Sequence, residues 1–210
     1  KTGKSEGVRH RYVKLAPDER FIKKGQSLLF ETFREKDKRE SLIRMTYGKS
    51  GKKELISGNY QFTGIKKSRL KNQLIFQKQN FKVYPDLWTT TIDFKNSVQI
   101  SNANPQQDEY NWGTAELIRY TSLDGKPLEG LLIKPEGFDP NKKYPLLVNF
   151  YEKSSDGLKR HREPSPGRST MNYSFYASRG YVIFNPDVHY REGYPGESAY
   201  NCVMPGVMSL

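Results

Sequence analysis

Short apolar and alternating runs occupy the first part of the chain and predict strand after strand with no helix between them. Ser27-Leu-Leu-Phe-Glu-Thr-Phe33 and Ser41-Leu-Ile-Arg-Met-Thr-Tyr47, separated by the wholly charged Glu35-Lys-Asp-Lys-Arg-Glu40, predict a hairpin. Further strands are expected at Tyr60 to Thr63, Gln73 to Gln77, Leu87 to Asp93 and Val98 to Ile100, with Gly, Asn, Asp or Pro in most of the gaps. Strands at this spacing belong to a sandwich, a barrel or propeller blades, and a four-stranded blade takes about 40 to 45 residues. The first twenty residues carry charge with little periodicity and predict a strap or a frayed end.

Asn104-Pro-Gln-Gln-Asp-Glu-Tyr-Asn-Trp-Gly113 breaks this rhythm and is expected to hold a domain boundary, dividing the chain into 1–108 and 109–210. Beyond it the pattern changes. Ala115 to Thr121 and Leu128 to Lys134 flank an Asp-Gly hairpin signal at Leu123 to Lys126, and Pro135 ends the returning strand. Tyr144-Pro-Leu-Leu-Val-Asn-Phe-Tyr151 has no charge and six apolar or aromatic positions in eight, the pattern of a strand covered on both faces. Met171 to Arg179 predicts a helix with Gly180 at its C-terminal cap, Tyr181 to Asn185 a second buried strand, and Glu197 to Val203 the start of another helix. Hairpin, strand, helix, strand, helix is the order of an α/β sheet that begins with antiparallel strands.

The formal charge of +12 changes the picture only once it is located. Residues 1–82 hold 22 Lys and Arg against 8 Asp and Glu, while the remainder holds 13 against 15. Such a basic half is the electrostatic footprint of a nucleic-acid binder, but no recognition motif accompanies it, and solvated turns such as Lys49-Ser-Gly-Lys-Lys53 account for it; no nucleic-acid partner is expected. No run approaches the roughly 20 apolar residues of a membrane span, and no apolar stretch follows the charged start as in a signal peptide. The single cysteine, Cys202, suits a reducing compartment and equally a bacterial periplasmic or exported protein without disulfides.

Candidate chemistry is sparse. The G-x-S-x-G elbow of serine hydrolases is absent, and the nearest text, Gly196-Glu-Ser-Ala-Tyr200, lacks the second glycine, so Ser198 is expected to be a helix N-cap. His10, His161 and His189 lie in charged or turn-rich contexts, and the Asp187–His189 spacing is too common to identify a triad. There is no H-E-x-x-H, and Gly48-Lys-Ser50 lacks the P-loop's earlier glycine, the position being Ile43; no metal or cofactor is expected. Asn172-Tyr-Ser174 matches a glycosylation sequon. Tyr151 is the best site candidate. At the carboxyl end of a buried strand, where α/β sheets bind ligands, a phenol either donates to an oxyanion or packs as an ordinary strand end.

Ala115 to Pro135, Tyr144 to Tyr151 and Tyr181-Val-Ile-Phe-Asn-Pro-Asp187 with its loop to Gly196 together resemble the beginning of the peptidase domain in the prolyl oligopeptidase and dipeptidyl-peptidase family of serine peptidases. Asn104 to Gln107 and Tyr110 to Gly113 resemble the linker of bacterial members, Bacteroides-type ones above all, and the upstream strands resemble the last blades of the family's propeller. The resemblance implies peptide substrates, acyl transfer by a serine activated by histidine and oriented by aspartate, and a role for the Tyr151 hydroxyl in the oxyanion hole. It also implies that nucleophile, acid and base all follow Leu210, so that this chain is an inactive fragment. Glu152-Lys-Ser-Ser-Asp156 stands where many relatives have a glycine-rich turn, and Asp187-Val-His-Tyr-Arg191 where they have Asp-x-Arg-Gly. A non-catalytic binding protein of the same fold is the alternative. Half a sheet leaves an unpaired edge, and self-association is expected of the fragment.

Overall fold

The computed structural model describes residues 2–164 and 171–210, which divide into two compact units between Pro105 and Gln106. The structure is mostly antiparallel sheet with few helices.

After a four-residue helix α1 (Thr2–Ser5), unit 1 is built of two four-stranded sheets in simple meander order. The first contains β1 (Val8–Val13), β2 (Ser27–Arg34), β3 (Arg39–Thr46) and β4 (Lys53–Gly58). The second contains β5 (Gln61–Lys67), β6 (Gln73–Gln79), β7 (Asp86–Thr91) and β8 (Val98–Gln99). The hairpin expected from the charged hexapeptide is β2–β3, in register from Ser27 opposite Thr46 to Arg34 opposite Arg39, with Lys38 at φ 57° turning the chain. One side of each sheet feeds a shared core. Leu29 and Leu42 meet Phe62, Leu74, Phe76 and Phe94, with the Phe76 and Phe94 rings 5.5 Å apart. Around this core Glu40 accepts the Phe62 N–H at 3.1 Å, and Arg44 reaches Asp93 and the Ile92 carbonyl, so polar bonds as well as apolar burial join the two sheets.

Two strands of unit 1 depart from the sequence expectation. β1 lies in the segment read as a strap, and β4 falls where no strand was expected. Both are outer strands of their sheet, and β1 exposes its four central residues, so neither needs the apolar alternation by which a half-buried strand is recognised.

Unit 2 carries one mixed sheet in the order β11-β12-β10-β9, formed by β9 (Thr114–Thr121), β10 (Pro127–Lys134), β11 (Leu146–Val148) and β12 (Val182–Pro186). β9 and β10 form the Asp-Gly hairpin, closed by Ser122, whose hydroxyl accepts the Lys126 N–H at 2.9 Å, with Gly125 at φ 81°. β10 and β12 are antiparallel and β11 and β12 parallel. The α2 helix (Tyr173–Ala177) packs on β12 and β10, and Gly180 follows it at φ 82°, the left-handed C-terminal position expected of a glycine. The α3 helix (Pro195–Met208) packs on β9 and β12, placing Cys202 and Val203 beside Leu128 and Val188.

Two details fix α3. Pro205 lies inside it and has no N–H for the Asn201 carbonyl; the Leu123 N–H in the β9–β10 turn takes that carbonyl instead, at 3.0 Å. The fully buried Phe184 ring fills a slot between Gly130 and Gly206, where an added Cβ would stand 2.6 and 2.7 Å from the ring. Alanine at a helical glycine ordinarily stabilises by up to about 1 kcal/mol, whereas overpacking a closed core costs about 1–3 kcal/mol. Gly206→Ala is therefore expected to lower stability by about 1 to 2 kcal/mol, read as a lower midpoint in urea with unchanged slope. A raised midpoint would show that the slot is loose.

The strand expected over Tyr144 to Tyr151 is shorter than the apolar run and lies elsewhere in the sheet. Only Leu146–Val148 is strand, all three residues are half-buried, and β11 is the outermost strand among the described residues. No sheet is closed among the described residues.

Candidate functional site

The site is built where β11 and β12 end side by side. Because they run parallel, with Val148 opposite Phe184, both chains emerge on the same edge of the sheet. The Asn149 N–H donates to the Phe184 carbonyl at 3.0 Å, and three residues later Glu152 accepts the Val188 N–H, also at 3.0 Å. Between these two bonds stand Phe150 and Tyr151. The Tyr151 ring is 74% exposed at the edge of the sheet.

Beyond Glu152 the loop turns on Asp187. Its Oδ1 accepts the N–H groups of Ser154 at 2.6 Å and Ser155 at 2.8 Å, and its Oδ2 accepts the Ser155 hydroxyl at 2.6 Å. Asp187 is 4% exposed and Ser155 fully buried, so these are charge-assisted bonds shielded from water. They seat the short 3-10 turn Ser155–Gly157. Tyr190 comes from the other strand's loop. Its phenol is pushed above the usual tyrosine range, by burial first and then by the nearby Tyr151, Cys202 and Glu152.

Behind the loop lies a polar cluster that the sequence pattern did not reveal. Asn149 and Asn185 both direct their amide nitrogens at the Tyr173 hydroxyl, Asn149 at 2.9 Å. The Arg162 guanidinium lies 4.5 Å over the Tyr173 ring, and burial holds it below its usual range. Asn149 directly follows β11, and Asn185 is the next-to-last residue of β12. That coincidence, two polar residues closing two apolar runs, is the signal available in the sequence.

The remaining candidates are separated. His10 is on β1 in unit 1. His161 is buried and stacked on Trp112, ring centroids 5.0 Å apart and planes 8° from parallel. His189 and Ser198 border one cavity of about 140 Å3 together with Lys126, Arg191, Glu197 and Cys202. Ser198 is not the expected N-cap. Pro195 starts α3 three residues earlier, as proline at the first helical position does, and Tyr194 occupies the cap. The Ser198 hydroxyl accepts the Arg191 N–H at 3.0 Å and donates to the Tyr194 carbonyl at 2.7 Å. With its hydroxyl tied to backbone and Asp187 committed to Ser154 and Ser155, these residues form no triad. The sequon is likewise in structural use: Asn172 caps α2 by accepting the Phe175 N–H at 2.9 Å and gives its amide to the Glu163 carbonyl at 3.0 Å, while Ser174 is buried. No group of His, Cys, Asp and Glu able to hold a metal occurs among the described residues, and no helix among them is long and apolar enough to cross a membrane.

No protein-family model matches the chain. Its fold is that of part of several solved peptidases. It is similar to dipeptidyl peptidase 4 of Porphyromonas gingivalis, with a TM-score of 0.58 and 18% identity over 80% of this chain and 23% of that one. It is similar also to an acylaminoacyl peptidase in complex with Z-Gly-Gly-Phe-chloromethyl ketone (TM-score 0.52, 20% identity, 85% and 26% of the two chains). A third likeness is to a structure from a study of two prolyl endopeptidases (TM-score 0.51, 13% identity, 85% and 24%). The chain spans about a quarter of the length of the structures it matches.

Proposed function

We propose that this chain is part of a serine peptidase of the prolyl oligopeptidase and dipeptidyl-peptidase type, with residues 1–108 forming the last propeller blades and 109–210 the first portion of an α/β-hydrolase domain. The observation that carries the reading is Tyr151, exposed just beyond the end of β11 and beside the end of β12, in a chain whose fold is similar to that of about a quarter of the length of several solved peptidases. Meander sheets ahead of a mixed sheet with helices packed on it also support it.

In the proposed reaction a serine supplied by the rest of the polypeptide attacks the scissile carbonyl carbon and passes its proton to histidine. The carbonyl oxygen becomes an oxyanion, and the Tyr151 hydroxyl donates a hydrogen bond to it. Collapse of the intermediate breaks the C–N bond, and the departing amine takes the proton. Water then releases the acyl group by the same route. Substrates are short peptides, with cleavage after proline the first preference to examine. In this reading the 210-residue chain alone is inactive, and it is consistent with that reading that Ser198, His189 and Asp187 form no triad among the described residues.

Fluorophosphonate labelling tests this whatever the peptide preference, because the probe reports an activated serine. The full-length polypeptide is expected to label and the 210-residue chain to remain unlabelled. Labelling of neither would favour a non-catalytic binding protein, and labelling of the short chain would reveal a nucleophile within it.

A further inference from the structure

We propose that Asp187 is the positioning residue for Tyr151: its carboxylate, as a threefold acceptor, fixes the loop that presents the phenol. This rests on the reading of Tyr151 as an oxyanion donor. An aromatic ring that is 74% exposed draws little support from packing, so its place depends on the backbone that carries it. That backbone is held at Asn149 by the Phe184 carbonyl and at Glu152 by the Val188 N–H. Immediately beyond, the loop reverses into the Ser155–Gly157 turn, and there three donors converge on one buried carboxylate. Ser154 and Ser155, which lead into that turn, both take the partner of their N–H groups from Asp187, more than thirty residues along the chain, so an external acceptor shapes the start of the turn.

Removing that acceptor leaves two backbone N–H groups and a hydroxyl without their partner in a site closed to water, and the loop must move to satisfy them. A displacement of about 1 Å at a donor aimed at a transition state costs about 10²-fold in rate. Asparagine is the conservative replacement. Its Oδ1 can keep both N–H groups, and the Ser155 hydroxyl can rotate to accept from the new amide.

The test is a double-mutant cycle in the full-length polypeptide, with kcat and KM measured on a short proline-containing peptide p-nitroanilide. Asp187→Ala is expected to lower kcat about 10²-fold with KM within about threefold, and Asp187→Asn to recover all but about tenfold of the loss. In the Tyr151→Phe background Asp187→Ala should cost no more than about threefold further, because it acts through a phenol already absent. Ser155→Ala, which removes the hydroxyl bond to Asp187 and leaves the two backbone N–H bonds in place, should give a smaller kcat loss that also vanishes in that background, and it serves if Asp187→Ala does not fold. Additive losses in the cycle, or wild-type kcat in both Asp187→Ala and Ser155→Ala, overturn the proposal. The two readings fail differently: Tyr151→Phe as fast as wild type refutes the oxyanion role, whereas a slow Tyr151→Phe beside an unaffected Asp187→Ala refutes the positioning role alone.

Discussion

Tyr151→Phe in the full-length polypeptide is expected to lower kcat by about 10²- to 10³-fold while KM stays within about threefold, the pattern of a donor that acts only in the transition state. The substitution removes one oxygen from a ring that is 74% exposed, so nothing in the packing of β11 changes. Stability should stay within about 0.5 kcal/mol of wild type, as for other surface replacements. This pairing of a large kinetic effect with an unchanged thermal midpoint separates a chemical role from a structural one. Equal falls in activity and stability would assign Tyr151 to packing, and an unchanged kcat would remove it from the site.

The largest effect on stability is expected at Gly113. This residue sits at φ 75°, and a Cβ built on it would lie 2.2 Å from the Lys134 carbonyl oxygen and 3.3 Å from the Lys134 carbonyl carbon. Both atoms are backbone at the end of β10, a strand paired along its length with β9, so neither can swing aside. The Gly113 N–H donates to Glu136 Oε2 at 3.0 Å, which binds the approach of the two segments. Alanine there carries the left-handed backbone cost of about 1–2 kcal/mol and an overpacking cost of about 1–3 kcal/mol, for a total of about 3 kcal/mol or more. For a unit of this size that corresponds to a fall in thermal midpoint of roughly 12 °C or more. Thermal unfolding followed by circular dichroism would show it; a midpoint within about 2 °C of wild type would mean that the Gly113–Lys134 approach is not required.

Much of the architecture was legible because burial and turn chemistry leave local marks. The β2–β3 hairpin followed from two alternating runs around a charged hexapeptide, the β9–β10 hairpin from Asp124-Gly125, and the end of α2 from Gly180. β1 was not legible, since Val8-Arg-His-Arg-Tyr-Val13 pairs through its backbone while exposing most side chains. The start of α3 is marked by Pro195, but Ser198 three residues on is also a preferred N-cap type, so local sequence offers two starts. The apolar run placed Tyr151 as the last residue of a strand, whereas β11 stops at Val148 and Tyr151 stands in the loop beyond it, and the shape of that loop was not visible. That shape depends on Asp187, 32 residues from Ser155, and no local pattern announces which distant carboxylate a serine will meet.

The strand order has a consequence for how the chain assembles during synthesis. Both sheets of unit 1 pair each strand with the one just made, so their contacts form locally and early. The sheet of unit 2 does not allow this beyond its first hairpin. β11 is completed well before β12, yet among the described residues its pairing within the sheet is to β12 alone, and the Asp187 carboxylate that seats its loop arrives later still. The apolar Leu146–Val148 segment must therefore wait unpaired while α2 and the intervening loop are made, and this interval is when the nascent chain is most open to capture by chaperones or by another copy of itself.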